Sequence, residues 1–155
     1  MAKPPRILVV DDDENIRIVF QMNLEEQGYV VELAASGQEA LDKAKRKFYN
    51  VALIDIKLPD MEGTSLLSSL KEILPKMKKI IITGFPTLEN AMRAVNEGAD
   101  GYILKPVKME TLIDTIEEYL RKQREDERYS ERKVEEFIEA RARELDTMTK
   151  YHKPI

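Results

Sequence analysis

The 155-residue sequence has no cysteine, no tryptophan and a single histidine. Without cysteine there can be no disulfide, no thiolate metal site and no sulfur nucleophile. Long apolar runs are missing as well. Ile7 to Val10 and Val51 to Ile54 are far shorter than the ~20 residues a helix needs to cross a bilayer. The chain does not open with a charged stretch followed by an extended apolar one, so the cytoplasm is the default expectation and no membrane is expected as a partner. The one histidine, His152, lies in a polar tail with no acid or second histidine beside it, which argues against a metal or phosphotransfer role.

What is present is a globular balance of 43% hydrophobic and 35% charged residues, enough for one domain and an appendage. Charge is uneven along the chain. Residues 1–120 carry 15 Lys and Arg against 20 Asp and Glu, a balance of −5; residues 121–155 carry 10 against 9, a balance of +1. A nucleic-acid surface needs cations clustered without interleaved acids, so direct nucleic-acid binding is not expected.

Across residues 1–120 short apolar runs alternate with segments of helical period, the pattern of βαβ units around a parallel sheet. The runs predict strands at Arg6–Val10, Val30–Ala34, Val51–Asp55, Lys79–Thr83 and Tyr102–Leu104. The first, third and fourth are nearly continuous Val, Leu and Ile, as expected of central strands covered on both faces. Asp13 reads as the cap of the first helix and Gly28 as its stop. Ser36 precedes a second helix with Ala40, Leu41 and Ala44 inward. Gly63 or Thr64 opens a third that Pro75 closes. Pro86 fits the first turn of a fourth, with Gly98 just past its end. A fifth starts near Met109 and turns Leu112, Ile113, Ile116, Tyr119 and Leu120 to the sheet. Met22, Met61, Met77, Met92 and Met109 read as core fillers.

After Leu120 the sequence becomes Arg-Lys-Gln-Arg-Glu-Asp-Glu-Arg, and 121–155 is expected to be a charged helical extension of, or linker from, a domain at 1–120. Helix formers and opposite charges four residues apart favour continued helix. Val134, Phe137, Ile138, Leu145 and Met148 form an apolar stripe, interrupted by Arg141, which suits a second copy, the domain's own surface or the start of a linker.

In a doubly wound sheet, ligands bind beyond the carboxyl ends of the strands. There the sequence places Asp11-Asp12-Asp13, Asp55, Thr83 and Lys105-Pro106. Carboxylates from neighbouring strands repel unless a cation lies among them, and an oxygen-only set favours Mg²⁺. A metal, a lysine and a hydroxyl together match the equatorial oxygens of a transferring phosphoryl group, and a carboxylate beside them can be the nucleophile. An acid that ends the run Val51-Ala52-Leu53-Ile54 has no helix to cap.

The strings ILVVDDDENIR, ALIDIKLPDMEG, IIITGFP and GADGYILKPV, in this order and spacing, resemble the receiver domain of two-component response regulators over residues 6 to about 120. The resemblance implies a flavodoxin-like α/β fold with five parallel strands in the order 2-1-3-4-5 and helices on both faces. It implies Asp55 as phosphoacceptor, Asp12 as a direct metal ligand, Asp11 acting through water, and the main-chain carbonyl of Lys57 completing the Mg²⁺ site. Thr83 would close on the phosphoryl group and Lys105 would pair with it, aimed by a cis Lys105–Pro106 bond. Tyr102 would follow Thr83 as the switch of the helix 4, strand 5 and helix 5 surface. The donor would be a histidine kinase or histidine phosphotransfer protein. That surface or the C-terminal helix would form any homodimer. Such a protein is a phosphoacceptor with self-phosphorylation and autodephosphorylation, not an enzyme.

Lys57 and Phe85 stand where receivers adjust water attack on the phosphoryl group, so a bulky Phe85 and a cationic Lys57 predict a long-lived phosphorylated state. Two rivals are weaker. A haloacid-dehalogenase-like phosphatase would use Asp11 as nucleophile, but Asn15 replaces its usual Thr or Val, the late acidic pair is missing and Asp55 is unexplained. A pseudo-receiver, binding partners without phosphorylation, leaves the complete set of site residues without a purpose.

Overall fold

The computed structural model describes residues 3–151, so His152 lies outside the described residues. The elements run in strict alternation: β1 (Arg6–Val10), α1 (Glu14–Glu26), β2 (Val30–Ala34), α2 (Gly37–Arg46), β3 (Val51–Asp55), α3 (Gly63–Ile73), β4 (Lys78–Thr83), α4 (Leu88–Asn96), β5 (Gly101–Leu104) and α5 (Met109–Tyr151). The strands make one parallel sheet in the order β2-β1-β3-β4-β5. This is the expected architecture, with β4 and β5 each beginning one residue earlier than the apolar pattern predicts.

The sheet separates two apolar layers because alternate strand residues face opposite sides. Leu8, Val10, Ala52, Ile54 and Ile81 point one way and meet Ala40, Ala44, Leu66, Leu67, Leu70 and Ala94. Ile7, Val9, Val51, Leu53, Ile80 and Ile82 point the other way and meet Phe20, Leu24, Leu112, Ile116 and Leu120. The inner strands are therefore apolar on both faces, and the chain stays out of water until their last residues.

Helix ends are set by the predicted punctuation. Asp13 caps α1 by accepting from the N–H groups of Asn15 and Ile16 at 2.8 and 3.3 Å. Gly28 and Gly98 follow α1 and α4 with φ of +92° and +98°, a conformation glycine adopts without steric cost. Two expectations need correction. Pro86 is not in the first turn of α4: the helix begins at Leu88 behind Thr87, whose hydroxyl accepts from Asn90 N–H at 3.1 Å. A side chain that supplies the cap sets the start, and Pro86 lies outside it. Met77 is buried, but Met22 and Met92 are 66% and 57% exposed and fill no core gap. An apolar side chain does not by itself fix which face of a helix reaches the sheet; in α1 and α4 that face carries Phe20, Leu24 and Ala94.

The chain divides into two units, residues 1–120 and 121–155. In the second unit helix continues to Tyr151, and Val134, Phe137, Ile138, Leu145 and Met148 are exposed.

Candidate functional site

Four strands, β1, β3, β4 and β5, deliver the polar residues to one edge. β1 runs through four buried apolar residues and then releases Asp11, which is 4% exposed; β3 ends on Asp55, 8% exposed. Carboxylate oxygens of Asp11, Asp12 and Asp55 lie within 4.8 Å of one another. Lys105, one residue past β5, reaches across with its ammonium 3.1 Å from Asp11 Oδ2 and 3.3 Å from Asp55 Oδ2. Its peptide bond to Pro106 is cis. Asp11 also accepts from Asp13 N–H at 2.9 Å, and the Arg17 guanidinium donates to the Asp11 carbonyl at 2.7 Å.

The electrostatics follow from this crowding. Burial, then the neighbouring Asp11 carboxylate, push Asp55 above the usual carboxylate range, against the pull of Lys105. Burial works against the charged form of Lys105, but its bonds and attraction to Asp11 and Asp55 outweigh it and hold the ammonium above its ordinary pKa. One cation therefore serves two buried acids, and Asp12, exposed beside them, adds a third negative charge. An oxygen-only cluster with an excess of negative charge fits a hard divalent cation.

Thr83 ends β4 fully buried, and its Oγ1 accepts from Phe85 N–H at 2.9 Å. Its carbonyl accepts from Lys105 N–H at 2.8 Å, so the β4 and β5 ends are tied together. The Lys57 ammonium lies 3.9 Å from the centroid of the Phe85 ring, a cation–π contact that links the loops after β3 and β4. Tyr102 packs against the layer containing Ile81 and Ala94, and its hydroxyl is shielded from water without a hydrogen-bond partner. Burial raises its pKa.

The structure thus brings Asp11, Asp12, Asp55 and Lys105 into one cluster, with Thr83 one strand away and Lys57 in the adjoining loop. Sequence reasoning did not find Arg17, which steadies Asp11, or Asp60, which accepts from Gly37 and Gln38 N–H groups at 2.9 Å each. Arg17 looks like any surface residue of α1. Asp60 follows Pro59 and reads as a turn residue.

Comparison with known proteins agrees with the geometry. The model of the response regulator receiver domain matches residues 7–117. The transcriptional regulatory protein ZraR of Salmonella typhimurium is 36% identical over 119 residues, 77% of this chain and 27% of that protein. The chain therefore spans about a quarter of the length of such curated relatives. A CheY-like receiver domain from Methanospirillum hungatei superposes with a TM-score of 0.79 at 48% identity, over 80% of this chain and 99% of that one. A response regulator from Burkholderia pseudomallei, whose structure holds a phosphorylated aspartic acid and a calcium ion, superposes with a TM-score of 0.70 at 28% identity, over 79% of this chain and 72% of that one. Among the described residues no helix is long and apolar enough to cross a membrane. With the sheet order, the acidic cluster and the matched residues in agreement, this chain belongs to the response regulator receiver domain family of two-component systems.

Proposed function

We propose that Asp55 accepts a phosphoryl group from a histidine kinase or a histidine phosphotransfer protein, with Mg²⁺ held by Asp11, Asp12, Asp55 and the main-chain carbonyl of Lys57. The observation that carries this reading is the buried Asp55 carboxylate, converging with two further carboxylates and sharing one lysine with Asp11. When bound, the metal neutralises charge on the phosphoryl oxygens. The rest falls to the protein. An Asp55 oxygen attacks phosphorus as the bond from phosphorus to the donor nitrogen breaks, and the bonding pair leaves with the imidazole. Lys105, already 3.3 Å from Asp55, pairs with a phosphoryl oxygen. Thr83 exchanges its bond to Phe85 N–H for one to the phosphoryl group, and Tyr102 repacks behind it.

The output is a population shift of the surface formed by α4, β5 and the start of α5. Leu88, Met92, Val95 and Leu104 are exposed there, a face suited to a downstream protein or a second copy. The stripe of residues 134–148 is a second self-association face. The protein is a phosphoacceptor rather than an enzyme, works in the cytoplasm and makes no direct contact with nucleic acid. Because Lys57 rests on Phe85 beside the site, water attack is slow and the phosphorylated form outlasts seconds.

Intact-mass measurement after incubation with acetyl phosphate tests this. The expected result is one added phosphoryl group in Mg²⁺, none with a chelator and none in Asp55→Asn. A wild-type chain that stays unlabelled in Mg²⁺ would reduce the protein to a binding module. Labelling that persists in Asp55→Asn would move the chemistry to Asp11.

A further inference from the structure

The N-terminus of α2 is satisfied by two separate parts of the chain. A helix start leaves its first N–H groups without partners inside the helix. Here a local cap takes one of them, since Ser36 Oγ accepts from Glu39 N–H at 3.1 Å, while the Glu39 carboxylate turns back to accept from Ala35 N–H, just ahead of the helix, at 2.9 Å. The N–H groups of Gly37 and Gln38 remain, and both go to Asp60, one to each carboxylate oxygen. Asp60 lies 22 and 23 residues further on, in the loop of residues 56–62 that leads from β3 to α3.

That loop is fastened along its length. Gly63 N–H donates to the Ile56 carbonyl at 2.6 Å, and Lys57 and Glu62 form an antiparallel bridge. A β-carbon at Gly63 would collide with the Asp55 carbonyl oxygen, so the chain doubles back directly on the end of β3. On the α2 side, Met61 lies flat on Gly37, where a β-carbon would strike its Sδ. Leu58 and Met61 also pack against the core. Asp60 is the polar member of this attachment, and it fixes the loop that carries Lys57.

We infer that Asp60 is a positioning residue for the metal-binding edge: its carboxylate fastens the β3–α3 loop to α2 and so holds the Lys57 main-chain carbonyl in place beside Asp55. This rests on the reading of the acidic cluster as a divalent-cation site. Ser36 caps α2 whether or not Asp60 is present, so the effect of Asp60 on the loop can be separated from its effect on the helix by comparing the two caps. Without them the loop samples more conformations, and a cation must order it on binding.

The test is calorimetric titration of the full chain with Mg²⁺ alone, run beside thermal melts and amide hydrogen exchange of the metal-free protein. Ser36→Ala is the control, because it weakens the same helix end without touching the loop. Removing an outer partner of a metal site commonly weakens binding by at least about tenfold, so Asp60→Ala should do so while Ser36→Ala stays within about twofold of wild type. Exchange of residues 56–62 should quicken in Asp60→Ala and not in Ser36→Ala. Asp60→Asn, whose amide oxygen still accepts one N–H, should fall between, and it carries the same comparison if Asp60→Ala does not fold. Wild-type affinity in Asp60→Ala, or equal losses in both Ala variants, would overturn the positioning role. A wild-type chain that binds no Mg²⁺ would instead remove the cation site itself, and the positioning role with it.

Discussion

Two lysines at opposite ends of the sheet, Lys79 and Lys105, show how differently the same side chain is used. Lys79 is the second residue of β4 and is 3% exposed. Its ammonium donates to the Met77 carbonyl at 2.9 Å and lies 3.9 Å from Asp100, whose carboxylate also accepts the Lys79 N–H at 2.8 Å. Burial pushes its pKa down more than Asp100 lifts it. Lys105, at the carboxyl end, has two carboxylates at hydrogen-bond distance, and its pKa moves up. The amino end is a paired, local arrangement in which each charge has a partner close by in sequence or across one strand. At the carboxyl end the Lys105 ammonium is shared between two buried acids, Asp11 and Asp55, with Asp12 beside them. The first pattern holds a fold together, whereas the second stores an electrostatic cost that a ligand can relieve.

The amino end extends this contrast across the sheet. Glu32 lies 3.7 Å from Arg6 and 3.5 Å from Lys47, and Asn50 ties β1 to β3 by accepting from Arg6 N–H at 2.9 Å. Burial, then Glu32, push the enclosed Tyr49 hydroxyl up to about 12, so it stays neutral and acts as packing.

The largest expected effect comes from unpairing the buried lysine. Asp100→Ala removes both the countercharge of the buried Lys79 ammonium and the acceptor of the Lys79 N–H, at an expected cost of about 2–3 kcal/mol. Urea unfolding should show it, and adding Lys79→Met to Asp100→Ala should recover much of the loss. At the other end Lys105→Ala leaves Asp11 and Asp55 facing each other. The expected cost in a chelator is about 1–2 kcal/mol, reduced when Mg²⁺ is added, since a ligand that binds only the folded state stabilises it.

The two lysines should also respond to alkali with opposite sign. Lys79 has a folded pKa below its unfolded value, so the unfolded chain binds more protons in that interval and stability rises with pH across it. The folded pKa of Lys105 is raised, so its contribution is complete below the unfolded pKa and disappears as pH climbs through the folded value. Subtracting the melts of Lys79→Met and Lys105→Met from wild type in a chelator isolates each slope, and slopes of equal sign would break the contrast. The smallest effect belongs to Lys47→Ala, whose side chain is 52% exposed; a surface pair of this kind should contribute less than about 0.5 kcal/mol.

How much of this was legible depends on how far each residue acts along the chain. Strands show because residues 7–10, 51–54 and 80–82 are apolar without a break, which only a sheet covered on both faces requires. Asp55 stands out because an acid ends such a run. Thr83 and Tyr102 carry no comparable signal, and only the family pattern marks them. Asp60 and Asp100 were missed because their partners, at Gly37, Gln38 and Lys79, are neighbours in space and not in sequence. Met22 and Met92 went wrong because residue type alone placed them in the core, whereas α1 and α4 face the sheet with Phe20, Leu24 and Ala94.

The central claim is that the acids at the carboxyl edge are held together at a cost until a cation arrives, and melting wild type and Asp55→Asn with and without Mg²⁺ tests it most directly. Without metal, neutralising the buried Asp55 should raise the melting temperature by an amount equivalent to about 1 kcal/mol. At saturating Mg²⁺ the order should invert, because only the wild type keeps the full set of carboxylates. A variant that melts below wild type in a chelator, or a wild type that gains nothing from Mg²⁺, would contradict the account.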